Sequence, residues 1–321
     1  DSGALTVGGV TTVSASGQNI SLDEASTFGS LALNGANVAI TEVDATQLDA
    51  SSISGTLSIT SSGEVTDAGT LTIGGATTIS ASGQNITLDD ASSTFGSLSL
   101  TGADVAVTEN AEMELAASTI GGTATFNSSG NAITDSGTLN ISGTTTINAG
   151  TGALTLDDSS SSFADLQITG GDVYVEESGA LTASSISATN LQLKADSRVA
   201  VSSQGVENFA AQSQTGDISI VNEGGYSIST MSLLNGVSLT DDSATGAISL
   251  IAKSPLTINA PVDAKNGSLL LVASGSSDLD DVTINSEISA ASAKVYAGDS
   301  ITLETNAKLV SESTELLIGT N

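Results

Sequence analysis

The chain repeats itself, and the repeat limits what it can fold into more than any single motif does. Residues 16–42 read SGQNISLDEASTFGSLALNGANVAITE, and residues 82–109 repeat that text with one serine inserted, as SGQNITLDDASSTFGSLSLTGADVAVTE. A looser third copy starts near Thr151 as TGALTLDDSSSSFADLQITGGDVYVEE. Asp1, Asp67 and Asp135 open the blocks DSGALTVGG, DAGTLTIGG and DSGTLNISG, and Phe28, Phe95 and Phe163 follow in phase. A fixed internal period of this kind belongs to solenoids and arrays, in which each unit buries its apolar face only against its neighbours.

Within a block the apolar residues follow period two. In Leu71-Thr72-Ile73 and Val105-Ala106-Val107 they alternate with small or hydroxyl residues, which puts one set of side chains on one face of a strand. Clusters of Gly, Asn, Asp and Ser separate these short segments and supply turns. No stretch carries a helical stripe. A sandwich of hairpins would use pairs such as Asn34-Gly35, Asn235-Gly236 and Asn266-Gly267. The recurrence of Leu, Ile and Val at the same inward positions in every copy favours stacked coils instead. The expected fold is all-β, a right-handed parallel β-helix. Three short strands per coil of about 22 residues would place three coils in each long repeat and on the order of 14–15 coils in the chain.

Two regions are expected. Residues 1–193 carry the three long repeats and 21 carboxylates but no Lys or Arg. Residues 194–321 hold 15 carboxylates and all six cations, Lys194, Arg198, Lys253, Lys265, Lys294 and Lys308. There the long repeat fades into Gly-x-Ile/Leu-x-Ile/Leu phrases such as Gly216–Ile220 and Gly246–Leu250. This predicts the same helix continuing with less regular coils, with an outward excursion over residues 197–214, around Phe209. Asp1 begins inside a repeat and neither end shows a polar cap, so the chain is expected to be a piece of a longer one.

The net charge of −30 argues against nucleic acid and against an anionic membrane surface, since both need clustered cations. No apolar run reaches the roughly 18–20 residues that span a bilayer. The absence of cysteine excludes disulfide and thiolate chemistry.

Phrases such as Asp135-Ser136-Gly137-Thr138-Leu139, Gly143–Gly150 and Gly246–Leu250 resemble the β-helical stalks of filamentous-haemagglutinin-like exoproteins, large bacterial surface adhesins of two-partner secretion. The resemblance runs over essentially the whole chain. It implies export through an outer-membrane transporter, an extracellular position on the bacterial cell surface, and adhesion or biofilm cohesion. The partners it implies are other cells, polysaccharide or further copies of the chain. The family's N-terminal secretion domain has no counterpart here.

Candidate sites are few. With no His, no Cys, no Trp and a single Arg, the chain lacks the bases and sugar platforms of β-helical lyases and glycosidases. An enzyme is not expected, and no catalytic or cofactor-binding residue is assigned. The densest acidic cluster contains Asp278, Asp280 and Asp281, carboxylates that would suit Ca²⁺; no other cofactor is expected. The acidic pairs Asp23/Glu24, Asp89/Asp90 and Asp157/Asp158 recur once per long repeat and are read as solvated turns. Thr11-Thr12, Thr77-Thr78 and Thr144–Thr146 are read as ordinary strand threonines. Phe28, Phe95 and Phe163 are read as interior wedges. The function expected is a mechanical stalk that projects a distal binding region. The alternative is a carbohydrate- or receptor-binding module acting through one side of the rod.

Overall fold

The computed structural model describes residues 1–275 and 279–319. Among the described residues there are strands and turns and no helix. The strands pair in parallel, each with the strand one turn before and one turn after it. This is the parallel β-solenoid that the repeat predicts. The chain forms two compact units, Asp1–Ala164 and Asp165–Asn321.

In the first unit the period-two pattern becomes an interior. Along Leu57–Ser61 side chains are buried and exposed in strict alternation, and Val38–Glu42 alternates in the same way. One column of stacked partners runs Val38, Leu57, Thr77, Leu98. A second runs Thr46, Val65, Ile86, Val105, Ala124, Thr145. Each inward Leu, Ile or Val that leaves water for such a column contributes about 1.5–3 kcal/mol. Phe28, Phe95 and Phe163 are buried among them, as expected of wedges.

The turn is shorter than the repeat suggests. Partners in both columns lie about 20 residues apart, near the lower end of the range for solenoid coils. The long repeat is then three turns plus one further side of a three-sided coil. Val38 and Val105 are equivalent in the first two copies, yet they stand in different columns. A feature repeated once per copy therefore steps from one side to the next and draws no stripe along one face of this unit.

The corners need glycine where backbones meet. Gly96 donates its N–H to the carbonyl of Gly75 at 3.2 Å. A Cβ at Gly96 would lie 2.7 Å from that oxygen, closer than van der Waals contact allows.

The second unit keeps the interior but not the even turn. Val173, Leu191 and Phe209 stack at a slightly shorter step than in the first unit. Ile218 is followed by Ile248, a much longer step, and then by Leu269. Phe209 is not on an excursion. It lies in the strand Asn208–Ser213, wholly buried and edge-on to Tyr226 with ring centroids 6.4 Å apart. Period two holds through that segment, and Phe209 occupies an inward position. The extra residues come later, in the long turn between Ile218 and Ile248. There Thr230 and Asn235 close a small loop by an antiparallel bridge, and the loop folds back on the outside of the strands. Leu234 and Met231 pack against Tyr174 and Ala210. Gln192, stacked between Tyr174 and Ala210, accepts the Leu233 and Leu234 N–H groups on one oxygen, both at 3.0 Å.

Candidate functional site

The acidic turns are built into the coil as well as solvated. Asp67 accepts the backbone N–H of Asp89 at 3.1 Å and of Asp90 at 3.2 Å, one turn later. Asp135 does the same for Asp157 at 2.9 Å and Asp158 at 3.3 Å. Asp90 and Asp158 in turn accept the N–H groups of Ser92 and Ser160. Burial pushes the carboxyls of Asp67 and Asp135 up, while the N–H bonds pull the other way. The sequence carried a signal for this arrangement. The step from Asp67 to Asp89/Asp90 is close to one turn, and it recurs unchanged from Asp135 to Asp157/Asp158. Comparing the same turn in successive copies, which is three turns away, conceals it.

A second set of acids lies inside. The phrases VAITE, VAVTE and VYVEE end on Glu42, Glu109 and Glu177. Period two points Glu42 inward after Val38 and Ile40, and Glu109 inward after Val105 and Val107, and all three glutamates are at most 3 % exposed. Glu42 accepts the N–H of Phe28 at 2.9 Å, and Glu109 that of Phe95 at 2.7 Å. In Glu42 and Glu109 the second carboxylate oxygen is buried without a hydrogen-bond partner. Burial raises both groups above the ordinary glutamate range, Glu109 to about 7. Burial is the only cause that raises Glu109, and the Phe95 N–H opposes it. Glu42 is also drawn down by the Thr46 hydroxyl, which Met113 replaces in the next copy.

The proposed calcium ligands divide. Asp278 lies outside the described residues. Asp280 is buried against glycine backbone: a Cβ on Gly298 would come within 2.7 Å of its own Cβ. Asp281 accepts the Ser300 hydroxyl at 2.5 Å. Among the described residues no three acidic side chains gather at metal-binding distance.

Five of the six cations of the second unit pair with carboxylates, most of them on a neighbouring turn. Lys194 pairs with Glu176 at 2.7 Å, Lys294 with Glu315 at 3.2 Å and Lys308 with Glu287 at 2.9 Å. Lys253 pairs with Glu223. Lys265 bridges Asp242 and Asp263. Arg198 reaches the Thr182 hydroxyl at 3.3 Å. On the first unit an open groove of about 440 Å³ is lined by Thr12, Ala32, Asn34, Ala50, Ser52 and Thr70 among others, with hydroxyls, an amide and methyl groups but no titratable side chain.

The family described as Repeats of unknown function (DUF5649) matches residues 1–33, 35–101 and 102–170, more than half of the chain. The chain belongs to that family. No curated protein and no solved structure matches it.

Proposed function

We propose that this repeat chain is a structural stalk of a secreted bacterial adhesin, holding a distal binding region away from the cell and supporting adhesion or biofilm cohesion. The observation that carries the reading is the use of the repeat. Its regularly spaced residues go into the interior and the turn-to-turn contacts of each unit, and the side-stepping of copies leaves no recurring strip on one face of the first unit. Such a design gives stiffness per residue and spreads load over many parallel ladders. The resemblance of the sequence to filamentous-haemagglutinin-like exoproteins supports export through an outer-membrane transporter and an extracellular position at the bacterial surface. On this reading the chain has no catalytic role, binds no nucleic acid, inserts in no membrane and needs no cofactor.

The test is replacement. In the full-length exoprotein, residues 1–321 are exchanged for an unrelated β-solenoid with the same number of turns. A stalk keeps adhesion in cell-binding and biofilm assays. Loss of adhesion with normal export would favour the second reading, a carbohydrate- or receptor-binding module. The groove that includes Asn34 and Thr70 gives that reading its starting point.

A further inference from the structure

We propose that Glu109 is a proton-operated latch of the solenoid, with Glu42 a weaker second one: the protonated side chain holds its corner of the coil closed, and the ionised side chain lets it open. The stalk reading makes no use of these glutamates, and the latch does not depend on it.

Geometry places the latch. Glu109 stands at the end of the inward row Val105, Val107, wholly buried. It reaches back to the N–H of Phe95, the start of the segment that carries Phe95 and Leu98 into the core. The backbone around it is fixed from two sides. Its own N–H donates to Asn127 one turn later at 2.8 Å, and the N–H of Asn110 donates to Ser93 at 2.9 Å. The carboxylate therefore has one donor and one buried oxygen without a partner. A neutral carboxyl tolerates that position. A charged one does not, because a single neutral N–H replaces a full hydration shell.

No neighbouring charge supplies an alternative cause. The charged residues on the segments against Glu109 are Asp89 and Asp90, ahead of Ser93, and Glu112 and Glu114, after it. None contributes to its displacement, which comes from burial against the Phe95 N–H and reaches about 7. At Glu42 the nearby Asp44 adds a small upward push, and Thr46 and Phe28 act downward. That makes Glu42 the weaker latch.

Exchange of the Phe95 amide in the intact chain reads the latch directly. Rates are measured from pH 4.5 to 8.5 for the wild type and for Glu109→Gln, which keeps an oxygen for the Phe95 N–H but cannot ionise. Dividing one rate by the other at each pH removes the intrinsic pH dependence of exchange. The expected ratio is near one at the acid end and rises to on the order of a hundred-fold above pH 8, with the climb centred near neutrality. A ratio that stays flat overturns the proposal. Should the Gln variant fail to fold, the carboxyl carbon of Glu109 in the wild type decides. Titration near neutrality, with the Phe95 amide shift moving in step, supports the latch; titration in the ordinary glutamate range overturns it.

Discussion

The two units stack the same kind of coil and differ in whether cations accompany their acids. Asp1–Ala164 has 17 carboxylates and no Lys or Arg. It uses several of them as backbone caps, as at Asp67 and Asp135, and buries others outright, as at Glu42 and Glu109. Asp165–Asn321 has 19 carboxylates and all six cations, and five of those cations sit in ion pairs with acids. Both units make acids part of the ladder, as Asp165 does for the Ser184 N–H and Asp217 for the Ala247 N–H in the second, but only the second adds ion pairs from outside. With an even step the same cap recurs, as from Asp67 to Asp135. Across the longer step from Ile218 to Ile248, Asp217 still accepts the Ala247 N–H at 2.7 Å, so register and not the length of the turn decides whether a cap forms.

Core truncation should fail to distinguish the units and has the largest expected effect. Phe95→Ala and Phe209→Ala each empty a buried ring position and should each cost about 3–5 kcal/mol in thermal or denaturant unfolding. A loss below about 0.5 kcal/mol at Phe95 would place the ring outside the core.

Acidity should separate them. Folding raises the carboxyl of Glu109 to about 7, above its unfolded value. Its contribution is therefore fully present below the unfolded value, near 4.5, and is lost as pH climbs through about 7. One such displacement corresponds to about 3 kcal/mol. The direction is the reverse of ordinary acid denaturation, and the raised carboxyls of Glu42, Asp67 and Asp135 act in the same sense. Peptide-resolved hydrogen exchange on the whole chain should show 1–164 better protected at pH 5 than at pH 8. Equal protection at both would remove the comparison.

The outer loop of the second unit offers a smaller, local break. Gln192→Ala takes the acceptor from the Leu233 and Leu234 N–H groups, and Leu234 is buried. A loss of about 1–3 kcal/mol is expected. It should appear as faster exchange in residues 230–236, with the strands Asn208–Ser213 and Ile218–Asn222 unchanged.

Salt gives the smallest effects. Raising NaCl from 0.01 to 0.15 M shortens the screening length from about 30 Å to about 8 Å. Unpaired carboxylates then repel less, so 1–164 should gain more protection than 165–319. The ion pairs of the second unit are mostly half exposed and worth about 0–1 kcal/mol each. Around Asp280 and Asp281, Ca²⁺ and Mg²⁺ at matched ionic strength should act alike, since one carboxylate is buried and the other is engaged by Ser300. A gain specific to Ca²⁺ would establish the site.

Much of this was legible in the chain itself. Period two and the recurrence of Val, Ile and Leu at fixed phases fix parallel stacked strands, because only stacking gives every copy the same buried neighbours. Phe28, Phe95 and Phe163 fall out of step with the inward residues that follow them, such as Leu98 and Leu100 after Phe95, so their recurrence and not the alternation marks them as interior wedges. The same alternation already pointed Glu42 and Glu109 inward, yet a glutamate is read as exposed until a donor for it is known. That donor, the N–H of a phenylalanine earlier in the chain, exists only once the corner has closed. Tertiary structure likewise decided the turn. The long period fixes how often a motif returns but not how much chain closes one coil. That length shows only in the register of the ladders, where each strand meets its partner about 20 residues on. The shorter turn carries each copy one side further round, so the length of the turn, and not the repeat alone, determines which way a repeated residue faces.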